Sequence, residues 1–160
     1  ENILALPRSI KSELLLRSDI LVLCTSQHPL AKRRTSKRAW VDISELLDEQ
    51  IIARPGYETV FPPELFRGGW VTVANAGDIH GYVRLGLGVG LNTRLGYEVI
   101  YIPDGIIPLP LRPSIYFSWC LVTPKKQFLP DQVTRNFVQE LREFYIALRT
   151  KWVTTKVSTQ

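Results

Sequence analysis

The sequence predicts an α/β fold built on a mainly parallel sheet. Short apolar segments rich in branched residues alternate along the chain with segments whose apolar residues recur at helical spacing, an order typical of that class. Two long apolar segments, near residues 20–25 and 115–122, enclose everything between them. They indicate a chain that leaves one lobe, builds a second and then returns.

Size and composition are those of an ordinary globular protein. The 160 residues, 45% hydrophobic and 22% charged, suffice for one domain or two small lobes with a buried core. No apolar run approaches the roughly 18 residues needed to cross a bilayer, and the first residues lack the order of a signal peptide. Cys24 and Cys120 lie in apolar runs without partners at metal-ligand spacing, so we expect buried thiols in a cytoplasmic protein.

Strands are predicted where branched and aromatic residues form short apolar runs between proline, glycine or polar residues. The runs DILVLCT and SIYFSWCLV are nearly continuous, as is typical of strands buried on both faces of a parallel sheet. No structure is assigned to residues 1–18. In chain order the predicted strands are Asp19–Thr25, Gln50–Ala53, Trp70–Val73, Val89–Leu91, Glu98–Ile102, Ile106–Leu109 and Ser114–Val122.

Helices are predicted at three places. A short one covers Asp42–Leu47, with its first residue as the cap and Glu45 three residues later. A second follows the turn at Asn75–Asp78, because apolar residues then recur at helical spacing. The longest starts at Leu129–Asp131 and has the clearest apolar periodicity. The polar tail over residues 150–160 is expected to be loose.

The net charge of +5 raises the question of nucleic-acid binding, because clustered cations gain affinity by releasing phosphate counterions. The densest cluster consists of Lys32–Arg34, Lys37 and Arg38. No aromatic platform interleaves these residues, and no helix-turn-helix or zinc-finger pattern surrounds them. We therefore favour a solvated basic loop over a nucleic-acid site.

No catalytic or metal-binding set is recognisable in the sequence. His28 and His80 have no acidic or cysteine companions at ligand spacing, and Ser114 and Ser118 lack a G-x-S-x-G motif. The G-x-G-x-G of residues 86–90 follows a helix and leads into a strand, the reverse of a dinucleotide fingerprint, so it indicates helix termination and close packing. We expect no enzyme, no cofactor and no metal.

The turn at Ala74–Asp78 is the first candidate ligand site. It joins the carboxyl end of a strand to the amino terminus of a helix, where unpaired amides and the helix dipole favour an anion. In open α/β sheets that edge faces the ligand crevice. The candidate residues are Ala74, Asn75 and Gly77. The alternative is that Asn75 or Asp78 only caps the helix.

The loop Arg54–Val60 is the second candidate, because it follows the carboxyl end of another strand and can line the same crevice. Tyr57 offers an amphipathic ring and Thr59 a hydroxyl, with Pro55 and Gly56 in the same loop. An ordinary surface turn is the alternative.

Four segments resemble the effector-binding domain of LysR-type transcriptional regulators. ILVLCTSQHPLAKR is similar to the strand and His-Pro-Leu-Ala turn that lead into its second lobe, and ISELLDEQIIARPG to the short helix and strand that follow. ANAGDIHGYVRLGLGVGLNTR is the most specific match, and its YVRLGLGVG is especially like the cysteine-regulon activator branch. SIYFSWCLVTPKKQFLPDQVTRNFVQEL resembles the return strand and closing helix, so the resemblance covers residues 19–147.

The resemblance implies a two-lobed fold of the type II periplasmic-binding-protein kind. Residues 1–25 and 116–149 would form the first lobe, residues 26–115 the second, and residues 150–160 a loose tail. The first half of the first lobe is not recognised in the chain, so this lobe is expected to be incomplete. The helix-turn-helix domain of the family is not recognised either.

The implied function is the sensing of a small, anionic metabolite in the cleft between the lobes. Binding would shift the population of lobe arrangements, and a homodimer or homotetramer would pass the change to DNA-binding domains outside this chain. DNA would be contacted only through those domains, and no membrane partner is expected. A solute receptor of a transport system and an enzyme on the same two-lobe plan are the alternatives.

Overall fold

The computed structural model describes residue 7 and residues 9–32, 39–99, 104–125 and 131–157, and it has the predicted α/β class. Its strands are β1 (Ile10–Thr25), β2 (Val41–Asp42), β3 (Ile51–Ala53), β4 (Trp70–Thr72), β5 (Val89–Thr93), β6 (Ile106–Arg112) and β7 (Tyr116–Pro124). Its α-helices are α1 (Pro29–Lys32), α2 (Ala76–Arg84), α3 (Arg94–Val99) and α4 (Gln132–Val157), and short 3-10 helices cover Ile43–Leu46, Tyr57–Thr59 and Pro63–Leu65.

The chain divides into two compact units. The first consists of residues 1–17 and 118–160 and contains α4. The second consists of residues 18–117 and contains α1, α2, α3 and the strands β2 to β6. The long strands β1 and β7 contribute residues to both units. The lobe boundaries expected after residues 25 and 115 stay a prediction.

The sheet is mixed, and its strands follow the order β2-β6-β1-β5-β3-β4, with β7 pairing to β1. Strand β3 is parallel to both β4 and β5, and β2 is parallel to β6. Strand β1 is antiparallel to β5 and β6. Parallel pairs therefore predominate, as predicted, although the central strand runs against its neighbours.

Strand β1 is buried on both faces over residues 20–24, which confirms the prediction from its continuous apolar run. Successive side chains of a strand point to opposite faces. Ile20 and Val22 accordingly join the core on one face, and Leu21 and Leu23 join the core on the other, where α2 packs. Burying each such side chain stabilises the fold by about 1.5–3 kcal/mol.

Strand β7 was predicted to be equally buried, and this was wrong. Its residues alternate between exposed and half-buried, with Tyr116 51% and Val122 49% exposed. A continuous apolar run does not reveal whether both faces of a strand are covered. Cys120 is consequently exposed, whereas Cys24 is buried as expected. Burial, with a smaller effect of the Glu49 charge, raises the pKa of the Cys24 thiol to about 11.

The strand predicted at Glu98–Ile102 was wrong over its described part, because α3 occupies Arg94–Val99. The hydroxyl of Thr93 accepts a hydrogen bond from Gly96 N–H (3.1 Å), and the hydroxyl of Ser18 accepts one from Leu95 N–H (2.9 Å). These bonds satisfy amides of the first turn, which have no partner within the helix. The branched residues that suggested a strand include 100–102, which lie outside the described residues.

Helix α4 extends through most of the expected loose tail and ends at Val157. Within this part of the helix, the Thr150 hydroxyl donates to the Ile146 carbonyl one turn earlier, at 3.1 Å. At the other end, Asp131 Oδ1 accepts a hydrogen bond from Thr134 N–H at 2.8 Å. Leu129 and Pro130, which were predicted to start this helix, lie outside the described residues.

The short 3-10 helix at Ile43–Leu46 confirms the predicted cap. Asp42 Oδ1 accepts a hydrogen bond from Ser44 N–H (3.0 Å), and Glu45 Oε2 accepts one from Asp42 N–H (2.8 Å). The helix α1, by contrast, was not predicted. Residues 33–38, which carry most of the basic cluster, lie outside the described residues, and only Lys32 of that cluster is described.

The glycines of residues 86–90 terminate α2 and allow close packing, as the sequence indicated. Gly86 has a φ of 72°, a conformation that favours glycine after a helix end. A Cβ on Gly88 would collide with the backbone oxygen of Gln50, and one on Gly90 with the side chain of Ile79. This motif is therefore explained by packing of β5 against β3 and α2.

Candidate functional site

Both predicted ligand segments leave the sheet at the same edge. In the parallel pair of β3 and β4, Ala53 lies opposite Thr72, and Val73 N–H donates to the Ala53 carbonyl at 2.9 Å. The loop after β3 and the turn after β4 therefore start side by side. Strand β5, on the other side of β3, ends at Thr93 on this edge as well. The carboxyl ends of three parallel strands thus form one candidate site.

Asn75 caps α2, the alternative that the sequence left open. Its Oδ1 accepts a hydrogen bond from Asp78 N–H at 3.0 Å, and its Nδ2 donates to Asp78 Oδ2 at 2.8 Å. Asp78 completes a capping box by accepting from Asn75 N–H at 3.3 Å. The Asp78 carboxylate also places a negative charge at the positive end of the helix dipole.

Ala74 and Gly77 flank this cap and are exposed. A Cβ on Gly77 would meet only the Asn75 side-chain oxygen, at 3.1 Å. The backbone N–H groups of Ala76 and Gly77 belong to the first turn, where no intrahelical acceptor exists. The backbone at this turn can therefore donate to a ligand even though the Asn75 side chain is committed to the cap.

Pro55, Gly56 and Thr59 form the exposed side of the loop after β3. Gly56 has a φ of 94°, which lets the chain turn sharply into the 3-10 helix at Tyr57–Thr59. The Thr59 hydroxyl donates to the Gly56 carbonyl at 2.7 Å. The hydroxyl proposed for a ligand thus stabilises the loop itself.

Tyr57 differs from the rest of its loop because it is only 3% exposed. Its ring packs against Phe117, with the ring centroids 5.0 Å apart. Burial raises the pKa of its hydroxyl, while the neighbouring Arg54 and Thr93 partly oppose that rise. Nevertheless, the buried hydroxyl makes no hydrogen bond of good geometry with any described residue. Such orphaned buried groups are rare in folded proteins and call for a partner.

Arg54 directly follows β3, and its Nε is buried without a hydrogen-bond partner in the described part of the chain. No carboxylate within the described ranges forms an ion pair with it. Neither Arg54 nor Thr93 was among the ligand-binding residues predicted from the sequence. A charged residue immediately after a fully buried strand was the available signal for Arg54, whereas only the fold brings Thr93 next to Tyr57.

The other prominent charges at this edge are paired. Arg94, which begins α3, donates to both carboxylate oxygens of Asp19, each at 2.7 Å. This bidentate bond raises the pKa of the Arg94 guanidinium further. The pair links β1 to α3 across β5, and its charges compensate each other.

Three further polar features lie elsewhere in the described structure: a groove on the first unit, His80 and His28. A groove of about 520 Å³ on the first unit has the size of a ligand site, but its Arg142 already donates to both oxygens of Glu13, at 3.1 and 2.7 Å. His80 is buried in α2 without a hydrogen-bond partner among the described residues, and burial lowers its pKa. His28 Nε2 lies 3.4 Å from Glu49.

Neither a cluster of metal ligands nor a membrane-spanning helix is found in the part of the chain that the structure describes. No group of three His, Cys, Asp or Glu side chains there is arranged to hold a metal ion. None of its helices is long and apolar enough to cross a membrane.

Several solved structures share this fold. The BenM effector binding domain with its effector benzoate matches with a TM-score of 0.67 and 18% identity, over 89% of this chain and 66% of that one. The Synechocystis PCC6803 CcmR regulatory domain in complex with 2-PG matches with a TM-score of 0.65 and 16% identity, over 88% of this chain and 70% of that one. Full-length BenM matches with a TM-score of 0.68 and 18% identity, over 92% of this chain and 49% of that one.

At these identities the likeness concerns the fold, which is that of LysR effector-binding domains. The chain spans 66% of the first of these domains and about half of the full-length protein. No curated protein sequence matches the chain.

The family of the chain follows from its amino-acid sequence. The family described as LysR substrate binding domain matches residues 4–145, which is most of the chain. That match includes the strand and turn around His28 and the helix and glycines at residues 76–90, the segments on which the resemblance rested. The chain belongs to the LysR substrate-binding domain family.

Proposed function

We propose that this chain is the ligand-sensing domain of a LysR-type transcriptional regulator and that it binds a small, anionic metabolite. Family membership over residues 4–145 is the observation that carries the proposal. The polar groups that meet at the carboxyl edge of β3, β4 and β5 support it, because ligands of open α/β sheets bind at that edge. Related domains hold benzoate in one case and 2-PG in another.

The proposed ligand site lies on the second unit, at this edge. The loop after β3 and the turn after β4 contribute backbone donors and side chains that start from neighbouring strands. The proposed ligand-binding residues are Pro55, Gly56, Tyr57, Thr59, Ala74, Asn75 and Gly77. In the proposed lobe division, residues 26–115 form the second lobe, and residues 1–25 and 116–149 belong to the first lobe.

The proposed mechanism is a shift between conformations. A ligand moves such an equilibrium only by the difference between its affinities for the two states. The regulator would act as a homodimer or homotetramer in the cytoplasm, and DNA would contact a helix-turn-helix domain that is separate from this chain. The domain would have no turnover activity. Its YVRLGLGVG segment favours a place near the cysteine-regulon branch of the family.

A thermal-shift screen of small metabolites on the purified chain tests this function. A ligand that binds only the folded state stabilises it by about 2.7 kcal/mol at 100 times its Kd, which is a readily measured shift in Tm. We expect at least one metabolite to stabilise the protein without being converted. The sensing role is wrong if none stabilises either this chain or a longer chain that includes the rest of the domain, or if a stabilising compound is turned over.

A further inference from the structure

We propose that Arg54, Tyr57 and Thr93 together anchor a carboxylate group of the sensed metabolite. This inference rests on the proposed function and assigns the charged end of the ligand to residues that the sequence did not select. The three residues come from the ends of β3 and β5, which are adjacent parallel strands. Arg54 and Thr93 both lie near enough to the Tyr57 hydroxyl to affect its pKa, so the polar groups of the three residues lie close together at this edge.

Arg54 carries a positive charge that no described residue compensates. Its Nε is buried and without a hydrogen-bond partner, and no carboxylate of the described residues pairs with it. A charge held partly away from water costs free energy unless an opposite charge with good hydrogen bonds is present. The planar guanidinium fits a carboxylate in two parallel hydrogen bonds. A ligand carboxylate would supply the missing partner.

Two neighbouring hydroxyls extend this cationic site. Tyr57 is 3% and Thr93 2% exposed, and Arg54 and Thr93 lie close enough to the Tyr57 hydroxyl to oppose the rise that burial causes in its pKa. The Tyr57 ring is held by Phe117, and the Thr93 hydroxyl is held by the Gly96 N–H. Donors already held in place lose little conformational entropy when a ligand binds. The Tyr57 ring and the Thr93 hydroxyl are therefore held in place before the ligand arrives.

The competing anion site at this edge is less suitable. At the start of α2 the Asp78 carboxylate already accepts a hydrogen bond from the Asn75 N–H, and its negative charge would repel a second anion. Arg94 is fully engaged by Asp19. Arg54 is thus the partly buried cation that remains without a carboxylate in the described part of the edge.

A carboxylate matches this site better than a phosphate. One guanidinium and two neutral hydroxyls supply a single positive charge. A phosphate carries about −1.5 to −2 at neutral pH and would leave part of its charge uncompensated away from water. The ligand class is therefore a monocarboxylate, or a larger molecule that presents one carboxylate to this anchor.

Matched acids and amides test the proposal. Acetate, benzoate and succinate would be compared with acetamide, benzamide and succinamide in thermal-shift and calorimetric titrations of the chain. We expect at least one acid to stabilise the protein and its amide to have no effect at equal concentration. Arg54→Gln should weaken binding of that acid by about 10- to 100-fold, and Tyr57→Phe by about 3- to 10-fold. Arg84→Gln, on the exposed side of α2, should leave its affinity unchanged.

The Tm of the free variants separates an anchor from a structural role. Removing an uncompensated charge should leave the Tm of unliganded Arg54→Gln unchanged or higher, whereas loss of a structural arginine would lower it. A stabilising acid whose affinity survives in both Arg54→Gln and Tyr57→Phe would overturn the assignment. If only neutral or cationic metabolites stabilise the chain, the carboxylate anchor is wrong while the sensing function stands. If no compound of these pairs or of the metabolite screen stabilises either this chain or a longer chain that includes the rest of the domain, both the anchor and the sensing function fail.

Discussion

At the scale of the residue, Asn75 connects local structure with the proposed site. Its side chain accepts from and donates to Asp78, so its first effect is on the stability of α2. We expect Asn75→Ala to lower the free energy of unfolding by about 1 kcal/mol, and Asn75→Ser to change it by only a few tenths, since serine is also a good cap. Urea denaturation measures both.

Binding gives the second measurement on the same variants. If the amide also contacts the metabolite, Asn75→Ala should weaken its binding by about 0.5–1.5 kcal/mol. Arg84→Ala, further along α2, should leave the affinity unchanged. Equal losses at both positions would indicate general destabilisation of the helix rather than a contact with the ligand.

His80 predicts a pH dependence of stability. Burial lowers its pKa below the usual 6.5, so the folded state favours the neutral ring. Because the folded pKa is lower than the unfolded one, this contribution is complete above about pH 6.5 and is lost as the pH falls through the folded pKa. The free energy of unfolding should therefore decrease between pH 7.5 and pH 5.5. His80→Leu should flatten this dependence, and an unchanged slope in that variant would contradict the assignment.

At the scale of the element, the contact between β5 and α2 depends on Gly90. A Cβ at this position would collide with Ile79 and press on Val83, both fully buried in the adjoining core. We expect Gly90→Ala to lower the free energy of unfolding by about 1–3 kcal/mol, as is usual for overpacking of a rigid core.

A matched glycine in α2 should behave in the opposite way. Gly81 is exposed, and apart from its chain neighbours and the backbone of its own helix no atom lies within 4 Å of a Cβ placed there. Gly81→Ala should therefore raise the free energy of unfolding by about 0.4–1 kcal/mol, because alanine restricts the unfolded chain. Thermal or urea unfolding of the two variants compares them directly. A loss of stability in Gly81→Ala as well would contradict the expectation that this position has room for a side chain.

At the scale of the whole molecule, the excess of positive charge raises the question of whether this chain itself contacts DNA. We assign the basic cluster to the sensing domain rather than to the DNA contact. Alanine at Lys32, Arg33 and Arg34 should therefore leave operator binding by the full-length regulator largely unchanged. The measurement is the slope of log affinity against log salt, which falls by about one for each lost phosphate contact. A drop of two or three would place this cluster on DNA.

Much of the local structure follows from the sequence alone. The buried strand around Val22, the capping positions Asp42 and Asn75 and the glycines after α2 depend on residues close together in the chain, where apolar periodicity and capping chemistry act. The α/β class follows from the alternation of these elements. Family membership is likewise contained in the sequence.

Only the tertiary structure decided the rest, because those properties depend on groups that are distant in the chain. In the folded protein, β1 is antiparallel to β5, and one face of β7 is exposed. The residues after Thr93 form α3, whose first turn is bonded to the Ser18 hydroxyl. It also joined Arg54 and Tyr57 to Thr93, which no local pattern can do. The periodicity of apolar residues indicates which face of a segment is buried. Which polar groups lie next to one another depends on the order of the strands in the sheet, and the local sequence does not contain that order.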